Sequence, residues 1–409
     1  MTGKQHFFII LILGALATIS PFSIDMYLPG FPSIVKDLNT SIDWVQLSLT
    51  SYFVGIAVGQ LLYGPLLDRY GRKRPLYIGL VVYVLASVGC AFTTSVDALI
   101  AARFVQALGG CVGMVAAQAL VRDLFPVNKT AQAFSFITLV IAVSPMIAPT
   151  LGGYVTASWG WPWVFIILAF ITSLILVAVY FYLPTGKSAD ATMSLRPRAV
   201  LSNFRIVIKN EQFLLYTLAG GLGTAAPFAY IAGSPDVFMN IYNVSEQQYG
   251  WIFAILAGAM IGSTQLNHVL LKHFKSETLV KVALLYQGVV GILMVGGTLY
   301  GYVGLYSLII LMFVFLTGQG LIGPNATALS LAPFSKHTGS AAALLGSWRM
   351  GTGAIISALV SILHDQTALP MAGMMAVCAW TSLAILLTGN AIVRKRARSK
   401  NPEEIPAIL

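Results

Sequence analysis

Charge is scarce in this chain. Only 9% of its 409 residues are Asp, Glu, Lys or Arg, against 57% hydrophobic side chains; a soluble domain is about 25% charged. A water-soluble fold of this length would lack the polar surface to cover so much apolar material, so a bilayer is the expected solvent. Cysteine is almost missing. Cys90, Cys111 and Cys378 each lie inside an apolar run with no metal-ligand spacing, which excludes a disulfide framework. The histidines His6, His268, His273, His337 and His364 are scattered along the chain, so no metal site is expected, nor the cluster of polar groups that a membrane-embedded enzyme needs. No G-x-x-x-x-G-K-[ST] loop is present, which disfavours ATP-driven work. No cofactor is expected. The opening MTGKQHFFII lacks a small-residue cleavage site after its apolar stretch and reads as a first spanning helix rather than a leader.

What is there is a succession of long apolar runs. A helix needs about 20 apolar residues to cross the hydrocarbon core, and twelve segments qualify. They run roughly 6–31, 43–66, 75–93, 97–121, 130–155, 162–183, 211–238, 247–271, 278–299, 303–329, 338–363 and 369–393. The expected class is an all-α membrane protein of two six-helix bundles, residues 1–186 and 211–393. A polar linker over 187–210 separates them, carrying Lys187, Arg196, Arg198, Arg205 and Lys209, and a basic tail follows over 394–409.

The formal charge of +10 could signal nucleic acid, but the basic residues fall between apolar runs rather than on one face. Membrane topology explains them better. With the N-terminus inside, 21 of the 24 Lys and Arg residues lie on the cytoplasmic side. The exceptions are Lys36, outside, and Arg103 and Arg349, within spans. Both termini are therefore expected in the cytoplasm, with the chain multi-pass in the membrane.

The halves echo one another. Pro21-Phe22 matches Pro227-Phe228, a Gly/Ala-rich helix with Gln60 matches one with Gln265, and Lys129-Thr130-Ala131 matches His337-Thr338-Gly339. The offset stays near 205–208 residues. Parallel six-helix halves related by an axis along the membrane normal are the architecture of alternating-access carriers, with the cargo site between them.

The sharpest local signal is the run from Gly64 to Arg74, GPLLDRYGRKR, on the short turn between the second and third spans. Gly64 would permit close helix approach, Asp68 could sit at the N-terminus of a facing helix, and Arg72 needs an acid, for which Asp123 is available. Together Gly64, Asp68, Arg69, Gly71, Arg72 and Asp123 would form a cytoplasmic gate that ties the halves while the carrier faces outward. A merely topogenic basic loop is the plainer alternative. This segment resembles the signature loop of the major facilitator superfamily, G-x-x-x-D-R-x-G-R-K/R. Two more segments are similar to drug:proton antiporter motifs. Arg103-Phe104-Val105-Gln106-Ala107-Leu108-Gly109 resembles R-x-x-Q-G, with Ala107 replacing glycine. Ala148-Pro149-Thr150-Leu151-Gly152-Gly153 resembles G-P-x-x-G-G, with Ala148 for the first glycine. Ser23-Ile24-Asp25-Met26-Tyr27-Leu28-Pro29 resembles the end of the first span in the Bcr/CflA multidrug-resistance branch. The resemblance covers essentially the whole chain. It implies the major facilitator fold, drug export, a role for Arg103 in proton transfer, and an antiporter helix in which Pro145, Pro149, Gly152 and Gly153 help seal the path against leak.

The residues themselves bear on mechanism. Asp25 is the only carboxylate expected well inside a span. A charge in hydrocarbon costs about 2.5–3.5 kcal/mol on insertion scales and normally faces a cavity or a partner. A carboxyl shielded from water favours its neutral form, which makes Asp25 the candidate proton-coupling acid; a helix-end carboxylate wetted from outside is the alternative, since Pro29 and Pro32 follow. Arg103 stays charged and must bond carbonyls, water or an acid, so a structural role is also open. Arg349, at mid-span beside Trp348, would bind an anionic or carbonyl-rich cargo or interact with Asp25 across the cavity. Pro145 and Pro149 remove helix hydrogen bonds, and Gly152 and Gly153 allow tight packing. Tyr27, Tyr52, Met146, Tyr230, Trp251 and Trp348 are candidate cavity residues, offering an adaptable apolar pocket with a few hydroxyls.

The expectation is thus a proton-coupled secondary exporter of small drug-like compounds, driven by the proton gradient and conferring drug resistance. The partners are cargo, protons and lipid, with no nucleic acid, and the working unit is a monomer. The alternative is a related carrier that exports or imports a metabolite or siderophore-like compound, because one fold serves many cargoes. One buried acid and two buried arginines fit neutral or weakly anionic cargo better than a dication.

Overall fold

The computed structural model describes residues 3–125, 127–186, 189, 197–334 and 338–400. Lys187, Arg196, Lys336, His337 and residues 401–409 of the expected tail lie outside the described residues. In lipid every backbone N–H and C=O must be satisfied within its own segment, and the chain answers with helices throughout. They are α1 Gly3–Asp25, α2 Phe31–Asp37, α3 Ile42–Tyr70, α4 Lys73–Ala91, α5 Val96–Leu124, α6 Val127–Trp159, α7 Pro162–Tyr182, α8 Pro197–Ile208, α9 Glu211–Gly223, α10 Ala226–Pro235, α11 Glu246–Leu270, α12 Ser276–Leu299, α13 Leu305–Leu331, α14 Thr338–Ile362 and α15 Leu369–Lys400. Among the described residues there are 12 spans long and apolar enough to cross a membrane, as the apolar runs require. An even number puts both ends of the chain on one face, here called the terminal face.

Two spans are broken. The first passes from α1 through a turn and the 3-10 segment Leu28–Gly30 into α2, reaching Asp37 rather than stopping near 31. Pro29 and Pro32 carry no N–H and disfavour a helical residue before them. The seventh consists of α9, a turn at Thr224-Ala225, α10, and a wider π-helical turn over Asp236–Ile241. The expected linker also holds structure. In α8, Phe204 and Val207 recur at helical spacing, and Val207 is fully buried with Phe213, Ala341 and Leu345, so this helix lies against α14 and α9. At the turn between α3 and α4, Gly71 takes φ +77°, a left-handed backbone suited to glycine.

Within the first half α3 and α4 pack on α5, and α1 packs on α5, α6 and α7; within the second, α12 and α11 pack on α13, and α15 packs on α12, α9 and α10. The halves meet mainly through two helix pairs, α3 with α14 and α6 with α11. The direct hydrogen bonds between the halves among the described residues concentrate at mid-membrane and toward the face opposite the termini. Ser33 donates to Glu246 Oε1 at 3.1 Å, Thr50 shares a proton with Ser357 at 2.8 Å, Thr150 donates to the Gly250 carbonyl at 3.3 Å, Ser347 to the Ala57 carbonyl at 3.0 Å and Ser361 to the Asp43 carbonyl at 2.7 Å. On the terminal side, below the Gln60–Gly346 contact, a cleft of about 250 Å³ separates α3 and α5 from α14, lined by Gln60, Gly64, Asp68, Arg72, Arg122 and Gly346 among others. This conformation is closed on the opposite face and cleft on the terminal face.

Candidate functional site

The break in the first span sets the site. Asp25 ends α1 and is 4% exposed. Its carboxyl makes no hydrogen bond or ion pair with any described residue. Across the interface it lies within electrostatic reach of two second-half phenols, Tyr230 and Tyr249. The Tyr249 hydroxyl is paired with Ser234 at 2.9 Å, but the Tyr230 hydroxyl has no partner among the described residues, and its ring stacks on Phe253 at 4.9 Å. A buried carboxyl and a buried, unsatisfied hydroxyl of the other half thus lie in one neighbourhood.

A helix that stops within a span leaves carbonyls unsatisfied and a partial negative charge at its end. Arg103 answers this at the end of α1. Its Nη2 donates to the Ser23 carbonyl at 3.1 Å and its Nη1 to Gln106 Oε1 at 2.6 Å. Gln106 in turn donates to Ser87 at 2.7 Å, and Ser23 and Tyr83 join hydroxyl to hydroxyl. The guanidinium lies over the rings of Tyr52 and Tyr27, 4.1 and 4.6 Å from their centroids, contacts worth about 0.5–2 kcal/mol each. Arg103 is completely buried, and its charge is held by π-faces and carbonyl dipoles rather than by an acid. Tyr27 and Tyr52 are correspondingly 1% and 0% exposed, so their expected place as cavity walls is corrected: they hold Arg103.

The break in the seventh span is capped differently. At the end of α9, Gln319 Nε2 donates to the Gly223 carbonyl at 3.0 Å. Arg349 lies beside this break but does not cap it. Its Nη2 is 3.8 Å from where a Cβ on Gly323 would stand, next to Thr224. It is half-buried and has no hydrogen-bond or ion-pair partner among the described residues. The expected alternative of an ion pair with Asp25 is not formed, because Arg349 sits against α13 and the break after α9. Its neighbour Trp348 lies against Gly221 and is 38% exposed. Met146 and Trp251 are 37% and 55% exposed and line none of the cavities described here.

At the turn after α3 the expected gate takes a different form. Arg72 Nε donates to Asp123 at 2.7 Å and its Nη1 to Asp68 at 2.6 Å. Burial pushes the guanidinium down, but the hydrogen bonds and charges of Asp123 and Asp68 outweigh it and hold it above its ordinary value. All three residues belong to the first half, so these bonds brace α3, α4 and α5 and do not tie the halves together. Asp68 meets Arg72 rather than a helix N-terminus. Arg69 is not free either. Gly64 has nothing within 4 Å of a would-be Cβ; it faces the cleft and is not a point of close helix approach.

Pro145 and Pro149 lie inside the continuous α6. A Cβ on Gly152 would strike the Met26 carbonyl, and one on Gly153 would stand 2.5 Å from the Glu246 carbonyl oxygen of α11. Gly152 thus packs α6 on the broken first span, and Gly153 packs it on the other half. Histidine also proved less scattered than its spacing implied. His364 lies 2.8 Å from buried Asp236 and 3.0 Å from Asp43. These partners are 128 and 321 residues away in sequence. The one available signal was an acid near the end of a span, which calls for a partner.

Comparison with known proteins agrees with the architecture. A family model described as Major Facilitator Superfamily matches residues 13–358. A bicyclomycin resistance protein homolog of Haemophilus influenzae is 33% identical over 92% of this chain and 94% of its own length. Multidrug resistance protein D of Escherichia coli is 27% identical, covering 94% and 98%, and a chloramphenicol resistance protein of Pseudomonas aeruginosa is 28% identical, covering 98% and 94%. Among solved structures, a D-xylose–proton symporter superimposes with TM-score 0.73 over 94% of this chain and 97% of its own, at 17% identity, a likeness of fold.

Proposed function

The chain belongs to the major facilitator superfamily, and from that premise we propose that it is a proton-coupled exporter of small drug-like compounds, an antiporter working by alternating access. The terminal face is the cytoplasmic one in a bacterial inner membrane, in keeping with the basic residues gathered there. The conformation described is then inward-facing. The observation that carries the reading is Asp25: a buried carboxyl at a broken span, unpartnered among the described residues and within electrostatic reach of Tyr230 and Tyr249 of the other half.

An ionised carboxylate in that place faces the cost of an unpaired buried charge. A neutral carboxyl does not, and its O–H gains a donor role toward the neighbouring phenol oxygens. Protonation from the outer side therefore favours closure of the halves over Asp25. Opening of the cytoplasmic cleft lets the proton leave inward, and cargo enters the vacated, polar interior. Arg103 does not shuttle this proton; it holds the end of α1 in place, so that Asp25 is presented toward the second half. Arg349, whose guanidinium has no hydrogen-bond or ion-pair partner among the described residues, offers its planar fork to a carbonyl or weakly anionic group on the cargo. The resistance named for the relatives supports drug-like cargo of that polarity, and a single chain supplies both halves.

The test is a susceptibility panel in an efflux-deficient bacterial host expressing the chain. Export predicts raised tolerance to neutral or weakly anionic antibiotics, abolished by Arg349→Ala in protein present at wild-type level. Unchanged tolerance across the panel, or accumulation of cargo with an inward proton gradient in vesicles, contradicts it.

A further inference from the structure

At the face opposite the termini, His364 just beyond α14 stands between two carboxylates from different halves. Nε2 is 2.8 Å from Asp236 Oδ2 in the seventh span, and Nδ1 is 3.0 Å from Asp43 Oδ1 at the start of α3. The first contact has hydrogen-bond geometry and the second only the distance of an ion pair. Asp236 is buried, and Asn240 donates to its other oxygen at 2.8 Å. Ser361 ties the same ends through the Asp43 carbonyl. A cavity of about 510 Å³ lies beside the three, lined also by Ser41, Asn240 and Gln366.

Counting protons gives the consequence. A neutral imidazole has one N–H and one lone pair. If Nε2–H donates to Asp236, the lone pair on Nδ1 points at a carboxylate oxygen 3.0 Å away, a repulsive arrangement. Both nitrogens can face both carboxylates favourably only when the trio holds one more proton, as imidazolium or on one carboxyl. Histidine is the side chain whose charge ordinarily changes between about pH 5 and 8.

The surroundings supply no competing charge inside the cavity. Asp43 comes from α3, Asp236 from the seventh span and His364 from the end of α14. On α2, Val35 lines the cavity, Asp37 accepts from the Trp161 indole at 2.9 Å, and Lys36 is exposed. Asp365 accepts from Thr367 at 2.6 Å.

We propose that Asp43, Asp236 and His364 form a second proton-binding site, assembled across the two halves, that takes up one proton as the opposite face closes and returns it to the same side as that face opens. This proton is not transported. It weights the closed state, so closure is favoured as the pH on that side falls and released as it rises. The inference needs only that the halves alternate; it does not rest on the coupling role of Asp25.

The test uses spin labels on Thr94→Cys and Tyr302→Cys, two exposed loop positions on this face, one in each half. The distance distribution is measured in lipid nanodiscs from pH 5 to 8. One linked proton changes the closed-to-open ratio by up to about tenfold per pH unit, and the variants are compared in an Asp25→Asn background, where this dependence is expected to persist without the separate effect of Asp25 protonation on closure. His364→Gln is expected to abolish it. Asp43→Asn, whose amide pairs with a neutral imidazole, is expected to keep the face closed at every pH. A wild-type distribution unchanged by pH overturns the proposal, as does an undiminished pH dependence in His364→Gln or Asp43→Asn. Loss of pH dependence in Asp25→Asn alone would move the proton to Asp25 and overturn it too.

Discussion

The two neighbouring glycines of α6 allow folding and switching to be separated. Gly152 meets Met26, in its own half, whereas Gly153 meets Glu246 of α11, in the other. A Cβ on Gly153 would stand 2.5 Å from the Glu246 carbonyl oxygen, where ordinary contact needs about 3.5 Å, so α6 and α11 must part by roughly 1 Å. The obstacle is backbone and cannot rotate away. Overpacking of this kind costs about 1–3 kcal/mol. For Gly153→Ala the cost falls only on the state in which this face is closed, so the closed-to-open ratio should drop by roughly 5- to 150-fold, at about 1.4 kcal/mol per tenfold. For Gly152→Ala it falls on both states, and the expected result is a lower unfolding temperature with little change in the ratio. Gly258, with nothing within 4 Å, is the control. The Thr94–Tyr302 label pair reads the ratio, because the native Cys90, Cys111 and Cys378 are buried and do not compete for label. A Gly153→Ala distribution indistinguishable from wild type, in protein of unchanged thermal stability, would refute the reasoning.

Arg103→Lys keeps the charge but loses the planar fork that spans Ser23, Gln106 and two rings. Charge-assisted hydrogen bonds are worth about 1.5–3 kcal/mol, so we expect a loss of about 2–4 kcal/mol in denaturant unfolding in detergent; a variant as stable as wild type would remove Arg103 from its capping role. At the α3–α4 turn, the Asp68 side chain is 41% exposed and that of Asp123 13%. Asp123→Asn should therefore cost about 2 kcal/mol or more and Asp68→Asn under about 1 kcal/mol, with both retaining the labelled distances across the opposite face. Equal costs, or a large change in those distances, would mean that this turn ties the halves after all.

Much of the fold was legible because hydropathy is a local property. Twelve apolar runs became twelve spans, and Arg103 and Arg349 could be recognised as cations in the wrong solvent. The breaks at Leu28–Gly30 and Thr224-Ala225 were not, since an apolar count runs straight through a point where backbone hydrogen bonding stops. Partners were harder still. Nothing local tells that Tyr27 and Tyr52 turn their faces to Arg103 rather than to a cavity, or that Gln319 rather than Arg349 takes the carbonyl at the end of α9. The Arg72 turn could be read for its acids but not for their belonging to one half, because that depends on how α3, α4 and α5 pack. His364 was overlooked for the same reason: its carboxylates come from the distant seventh span and from α3, and the latter meets it only when the halves close.

The central claim, that Asp25 is the group through which proton entry drives cargo exit, is tested most directly by Asp25→Asn in proteoliposomes. The asparagine amide fills the same space without a titrating proton. Reconstituted wild type should move cargo against its gradient when an opposing proton gradient is imposed. The variant should still exchange cargo down its own gradient but show no response to the proton gradient. Proton-driven transport at the wild-type rate in Asp25→Asn would contradict the account.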